Sequence, residues 1–258
     1  LEIAQISNIK ICDKIIKINY LITKENYMKT IKNITIAALL SFSTFTFSDV
    51  VEVFTWKANP GKDAELIQAY IEAAEIHEKE GAVVAIEAMN VGDTQGTYQY
   101  VLRWDNAIEW GKSKDKINTS PEWVAFGQKY VPGSLGEMVS SLSGGNLDTS
   151  VKASDFSDPF VYSVNVWDPT PGKTQELISN FMMAKSIIEE TGARVEIYSE
   201  GTGGTGKFHY VLLYENWTKM GESFAALGSS EEWAAFQAST AQGNSGTLVG
   251  SHSGQVIN

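Results

Sequence analysis

The sequence predicts an α+β fold built from two tandem split βαβ (ferredoxin-like) units that pack sheet to sheet. Two observations carry this. The stretch Tyr210–Phe236 repeats the earlier stretch Tyr100–Phe126: Tyr-Val-Leu, then an Asn, then a Gly, then Ser-x-Glu-Trp-x-x-Phe, in one shared register. Around both stretches the hydrophobic pattern alternates between strand and helix periods in the same order.

Each element follows from local chemistry. Val51–Trp56 alternates as a strand, with Val51, Val53 and Thr55 on one side and Glu52, Phe54 and Trp56 on the other. Asn59-Pro60-Gly61-Lys62 is a turn, where Pro fixes φ and Gly accepts the left-handed region. Leu66, Ile67, Tyr70, Ile71 and Ala74 recur at helical spacing, and Gly81 ends that helix. Strands follow at Val83–Met89 and Tyr98–Trp104, across a turn at Gly92–Gly96. A helical region runs from Asn106 and restarts at Thr119-Ser-Pro-Glu122, and a last strand lies near Met138–Ser143. The second half repeats the series. Val161–Trp167 answers the first strand, Pro171-Gly172-Lys173 answers Pro60-Gly61-Lys62, and Gly192 answers Gly81. Residues 49–147 and 159–258 are thus two repeats, joined by a polar linker, 148–158, without hydrophobic period.

The N-terminal part reads differently. Residues 1–27 show no hydrophobic period. Met28-Lys-Thr-Ile-Lys-Asn then opens a short basic stretch before the apolar run Ile34–Phe47. That run falls short of the ~20 residues a spanning helix needs. Basic start, apolar run and the small residues Thr46 and Ser48 ahead of a possible cut form the pattern of a signal peptide over 28–48, with 1–27 as leader. An exported chain, periplasmic or secreted and without a membrane span after processing, is the expectation.

The whole chain carries a formal charge of −11, and residues from 49 onward hold 14 basic against 28 acidic residues. With no Lys/Arg cluster to neutralise phosphates, nucleic acid is not an expected partner. The single cysteine, Cys12, lies in the leader, so disulfides and Cys nucleophiles are excluded from the repeats. The glycine-rich Gly201–Lys207 imitates a phosphate loop, but Phe208 follows where Ser or Thr and a helix are required, so it reads as a hairpin. His209 and His252 fall on two strands of the second half, where two imidazoles could begin a metal site, yet no third ligand is evident. His77 sits at the edge of an apolar helix stripe and reads as structural.

A split βαβ sheet carries helices on one face, and two copies can bury the other face together. The mostly aliphatic side of the first strands is expected to meet the helices. By elimination the mixed side, Glu52, Phe54 and Trp56 with Ser163, Asn165 and Trp167, would line the interior. Glu87 and Met89 with Glu196, Tyr198 and Glu200 would join it from the second strand of each half. Such a lining suits either a small-molecule cavity or a packed barrel whose polar groups satisfy each other.

On the repeated blocks and the element order, the chain resembles the dimeric α/β-barrel superfamily in fused form, with both halves similar to antibiotic-biosynthesis-monooxygenase-type domains. The resemblance implies an intramolecular pseudo-dimer, a monomer, without cofactor. Haem-degrading relatives use a first-strand Asn, a Trp at the start of the second helix and a His on that helix. Asn165 and Trp217 match, but Leu227 and Ile117 stand where the His is expected, which disfavours haem chemistry. Trp217, Met220, Phe224 and Leu227 also share a helical stripe, which makes Trp217 more simply a core residue. Cofactor-free monooxygenases of the superfamily orient oxidisable aromatic substrates with Asn, Trp and Tyr. The resemblance therefore implies Asn165, Trp217 and Tyr198 as catalytic candidates. Ligand-binding candidates are Trp56, Phe54, Glu52, Trp167, Ser163, Glu196 and His209. The leading expectation is an exported protein that binds an aromatic or apolar small molecule between its repeats. The alternatives are a cofactor-independent monooxygenase or isomerase-like enzyme, and a non-catalytic interaction module.

Overall fold

The computed structural model describes residues 49–92 and 95–258; the leader and signal-peptide expectations lie outside these residues. Eight strands close into one barrel. The first half contributes β1 (Val50–Ala58), β2 (Val83–Gly92), β3 (Tyr98–Trp104) and β4 (Gly136–Asn146). Its helices are α1 (Asp63–Lys79), α2 (Ala107–Thr119) and α3 (Pro121–Lys129). The second half contributes β5 (Val161–Pro169), β6 (Arg194–Glu200), β7 (Phe208–Tyr214) and β8 (Gly246–Val256), with α4 (Thr174–Glu189), α5 (Trp217–Gly228) and α6 (Glu231–Thr240). Among the described residues no helix is long and apolar enough to cross a membrane.

The strands run β1-β3-β2-β8-β5-β7-β6-β4 and back to β1, and every pairing is antiparallel. Each half alone gives the ferredoxin-like order, β4-β1-β3-β2 and β8-β5-β7-β6. Two seams, β2 with β8 and β4 with β6, join them, so each half covers the other's open edges as well as its bare face. Gly144 and Gly254, which occupy equivalent positions in the two repeats, sit at these seams. A Cβ on Gly144 would lie 2.7 Å from the Ser199 carbonyl oxygen, and one on Gly254 would collide with Ala88 O and the Tyr162 hydroxyl. The repeated Ser-Gly pairs therefore mark where the barrel closes.

Much of the repeated block encodes helix starts. Asn106 accepts hydrogen bonds from the amides of Ile108 and Glu109, and Asn216 accepts from that of Lys219. Ser120 and Ser230 accept from the amides of Trp123 and Trp233, which stops one helix and starts the next. Gly81 and Gly192, at φ 94° and 91°, supply the left-handed residue after α1 and α4.

The interior corrects the face assignment of the first strands. Val51, Val53 and Thr55 of β1 and Tyr162, Val164 and Val166 of β5 point into the barrel. Phe54 and Trp56 pack instead with Leu66, Tyr70 and Trp123 beneath the first-half helices, and Trp167 packs with Leu177 and Phe181 beneath the second-half ones. Elimination failed because it matched aliphatic residues to helices. A closed barrel is narrow inside and takes β-branched side chains, while the wider gap beneath long helices takes aromatic rings. On β2 and β6 the expected inward residues Glu87, Met89, Tyr198 and Glu200 do face the interior.

Two further expectations are corrected. The linker is not merely polar: a 3-10 turn at Ala153–Phe156 buries Val151, Ala153 and Phe156 against the barrel. Trp217 is not a core residue. It stands 41% exposed at the start of α5, with its indole N–H donating to Gln255, and Phe224 is exposed as well. The buried stripe of α5 is Met220 and Ser223.

Candidate functional site

Two cavities bring functional side chains together. The larger, about 460 Å³, lies between the outer face of the first-half strands and α1–α3. Phe54 and Trp56 project into it from β1, Tyr100 from β3, Tyr70 and His77 from α1, and Trp123 and Phe126 from α3. Trp123 and Phe126 stack with ring centroids 5.0 Å apart, and His77 meets Trp123 edge-on at 4.8 Å. The walls are thus aromatic, and polar groups enter at a few points.

Those groups have defined states. The Tyr100 hydroxyl lies 2.9 Å from His77 Nδ1, which is also 2.9 Å from the Ala73 carbonyl oxygen. Burial lowers the His77 pKa, with Lys114 adding to the effect while Ala73 and Glu52 oppose it, so the ring is a neutral imidazole near neutral pH. The tautomer that donates Nδ1–H to Ala73 leaves Nε2 as a base. Burial raises the pKa of Tyr70 and Tyr100, which keeps both as hydroxyl donors. The Tyr70 hydroxyl is buried and has no hydrogen-bond partner. At the cavity edge Lys114 pairs with Glu52 at 2.5 Å, and Glu52 also accepts the Trp110 indole N–H at 2.8 Å.

The second half keeps one of these polar groups: Tyr210 answers Tyr100, and its hydroxyl donates to the Phe181 carbonyl oxygen at 3.4 Å. Where the first half has Tyr70 and His77, the repeat register places Phe181 and Ile188. Phe181 packs against Trp167, Phe208 and Tyr210, with centroids 5.9, 6.1 and 5.2 Å away. The second half thus has hydrocarbon at the two helix positions where the first half has a hydroxyl and an imidazole.

The second cavity, about 310 Å³, occupies the barrel interior. At the strand ends near the linker it meets a charged network. Arg103 is buried beside Asp49, Glu87 and Tyr198. Tyr198 donates to Asp49 Oδ2 at 3.3 Å, leaving Asp49 Oδ1 and Arg103 Nε buried without partners. Burial raises the Asp49 pKa to about 6, against the opposing Arg103 charge and the Tyr198 hydrogen bond. Close by, Glu196 accepts from Asn146 at 2.7 Å and from Arg194 Nε at 2.6 Å. Toward the β6–β7 hairpin, Glu200 accepts from His209 Nε2 at 2.9 Å and from the amides of Thr205 and Lys207. The glycine-rich loop is therefore a hairpin whose amides are gathered by a carboxylate.

The sequence-derived candidates scatter across these features. Phe54 and Trp56 line the first-half cavity, and Glu52 anchors its edge. Tyr198 and His209 line the barrel interior, and Glu196 is buried in the charged network beside it. Asn165, Ser163 and Trp167 lie on the outer face of β5, and Trp217 on the surface, away from both cavity linings. No one site gathers Asn165, Trp217 and Tyr198. His209 and His252 both line the barrel with β5 between their strands, and among the described residues no group of three or more His, Cys, Asp or Glu could hold a metal ion. Tyr70, His77, Tyr100 and Lys114 were missed. For Tyr70 and His77 a signal was present, since the equivalent positions of the second repeat hold Phe181 and Ile188; Tyr100, matched by Tyr210, carried none.

No protein-family model and no curated protein matches the chain. Solved structures do. A monooxygenase-like protein of Fusobacterium nucleatum superposes with a TM-score of 0.54 at 13% identity, over 82% of this chain and 94% of that one. A monooxygenase-like protein of Lactobacillus acidophilus gives 0.51 at 10% identity, over 81% and 93%. An anthrone oxidase-like protein gives 0.51 at 12% identity, over 82% and 92%. Spans of that size take in both halves. The fold is the dimeric α/β barrel, fused within one chain. In this fused barrel the position that would hold a haem-ligating His is Ile117, a buried hydrocarbon in the first-half cavity lining. The residues present therefore do not fit a haem ligated from that position.

Proposed function

We propose that the fused barrel binds a small, flat, largely apolar molecule carrying a hydroxyl or carbonyl group, in the cavity between the first-half sheet and helices. The buried, unpartnered Tyr70 hydroxyl carries this reading. An unpaired hydroxyl in such a place costs on the order of 1–3 kcal/mol, and a ligand oxygen would remove that cost. Aromatic walls with few polar fixers are what such a ligand requires. The test is a titration of 1-naphthol and anthrone followed by fluorescence of Trp56 and Trp123. Saturable quenching is expected, weakened about tenfold in Tyr70→Phe, in line with a lost hydrogen bond. Absence of saturable binding by any flat phenol or ketone overturns the reading.

A second reading is favoured by His77. A neutral imidazole beside an aromatic cavity can take the proton whose loss makes an anthrone-like ligand reactive toward dioxygen. The ring CH₂ would become C=O, one oxygen atom entering the product and the other leaving as water. The fold is shared with monooxygenase-like and anthrone oxidase-like proteins, which supports the enzyme class without naming a substrate. Oxygen uptake with anthrone, lost in His77→Gln while binding persists, is the expected outcome. Binding without uptake leaves the chain a binder. Export, from the basic start at Met28 and the apolar run behind it, completes the proposal and is tested by sequencing the N-terminus of the mature protein.

A further inference from the structure

We propose that the barrel interior is a second ligand site, which takes a medium-chain aliphatic carboxylate. It is separate from the aromatic cavity beneath the helices, being enclosed by residues of all eight strands. Its lining includes Val51, Val53, Val101, Val164, Val166 and Val211, with Val53 opposite Val101 and Val164 opposite Val211 on neighbouring strands. Such a lining offers hydrocarbon contact to a chain and few flat faces to a ring. The volume is about 310 Å³. That is the low end of the ~300–1,000 Å³ range of small-ligand pockets, which suits a slim molecule such as an eight-carbon acid.

The charge pattern sets which way the acid lies. Near the linker, Arg103 already faces Asp49 and Glu87, with Glu196 beyond them, so a further anion there would meet surplus negative charge. Toward the hairpin, Lys207 lines the cavity and its ammonium makes no ion pair among the described residues. The neighbouring Glu200 is occupied by His209 and by two backbone amides. Lys207 is thus a cation of the cavity lining beside a carboxylate, Glu200, that is hydrogen-bonded to His209 and to two backbone amides, one of them Lys207's own. The ligand carboxylate belongs at Lys207, with the chain running along the valines toward Phe156.

Calorimetric titration of the full chain with sodium octanoate and with 1-octanol tests this. Octanoate is expected to bind more tightly than octanol. Lys207→Met should weaken octanoate about tenfold, the loss of one charge-assisted contact, and leave octanol unchanged. Valine-methyl NMR should show octanoate shifts at the six lining valines, a readout that does not depend on a variant's folding. Tyr70→Phe should leave octanoate binding intact, which separates this site from the aromatic one. No octanoate binding, an unaltered affinity in Lys207→Met, or methyl shifts confined to residues outside this lining would each overturn the proposal.

Discussion

Phe156 has two guanidinium groups over its ring, with Arg103 Cζ 4.4 Å and Arg194 Cζ 4.6 Å from the ring centroid. One arginine comes from β3 of the first half and the other from β6 of the second, so a linker residue ties the two repeats together at one end of the barrel. Each guanidinium lies over the ring, within cation–π range. Phe156→Ala should cost about 3–5 kcal/mol in urea unfolding, and Phe156→Leu, which keeps most of the volume, markedly less.

Asp49 gives the barrel a pH dependence of known sign. Its folded pKa, about 6, is above the ordinary 3.8, so its stabilising contribution is full below pH 3.8 and is lost as pH rises through about 6. Relative to Asp49→Asn, the wild type should lose about 3 kcal/mol between those limits. Unfolding free energies of both proteins across that window check it, and parallel curves would refute it.

Glu200 acts at the opposite end of the scale. The His209 hydrogen bond, helped by the Thr205 and Lys207 amides and opposed by burial, lowers its pKa from 4.5 to about 2. Its contribution is present above pH 4.5 and disappears as pH falls toward about 2. Glu200→Gln should therefore be less stable than wild type at neutral pH, and the gap should close on acidification.

Tyr70→Phe should stabilise the protein while impairing ligand binding. It installs the ring that the second half already has at Phe181 and removes an unpartnered buried hydroxyl. A gain of up to ~1 kcal/mol corresponds to roughly 2–4 °C in Tm for a chain of this size, readable by calorimetry.

Seam glycines should tolerate no side chain. Gly254→Ala puts a methyl group against Ala88 O and Tyr162 at the β2–β8 junction, at a cost of about 1–3 kcal/mol. Hydrogen exchange should show the loss first in the amides of β2 and β8, before those of β1 and β3.

How far the sequence reached can be followed element by element. Strands and helices were legible because their periods are local, and the duplication was legible because the repeats align from Pro60 and Pro171 to Gly144 and Gly254, at an offset of 111 that becomes 110 after one residue is lost in the hairpin between the second and third strands. The linker's Phe156 was not, since a single aromatic residue in a polar stretch carries no period. Trp217 was misread for the opposite reason. It has the right spacing for a buried stripe, but it sits at the first position of its helix, half exposed, with its indole hydrogen-bonded to Gln255 at the rim of β8.

The sequence by itself determined the elements, their order, the duplication and hence the fused barrel, because each depends on contacts between near neighbours or on repetition. The tertiary structure alone decided which side of the first strands faces inward. Period-two alternation defines two faces without saying which is which, and only the closure of two sheets into a narrow barrel, with wider spaces under the helices, breaks that tie. That same closure moved the candidate site from Asn165 to the cavity of Tyr70 and His77, positions where the other repeat has Phe181 and Ile188.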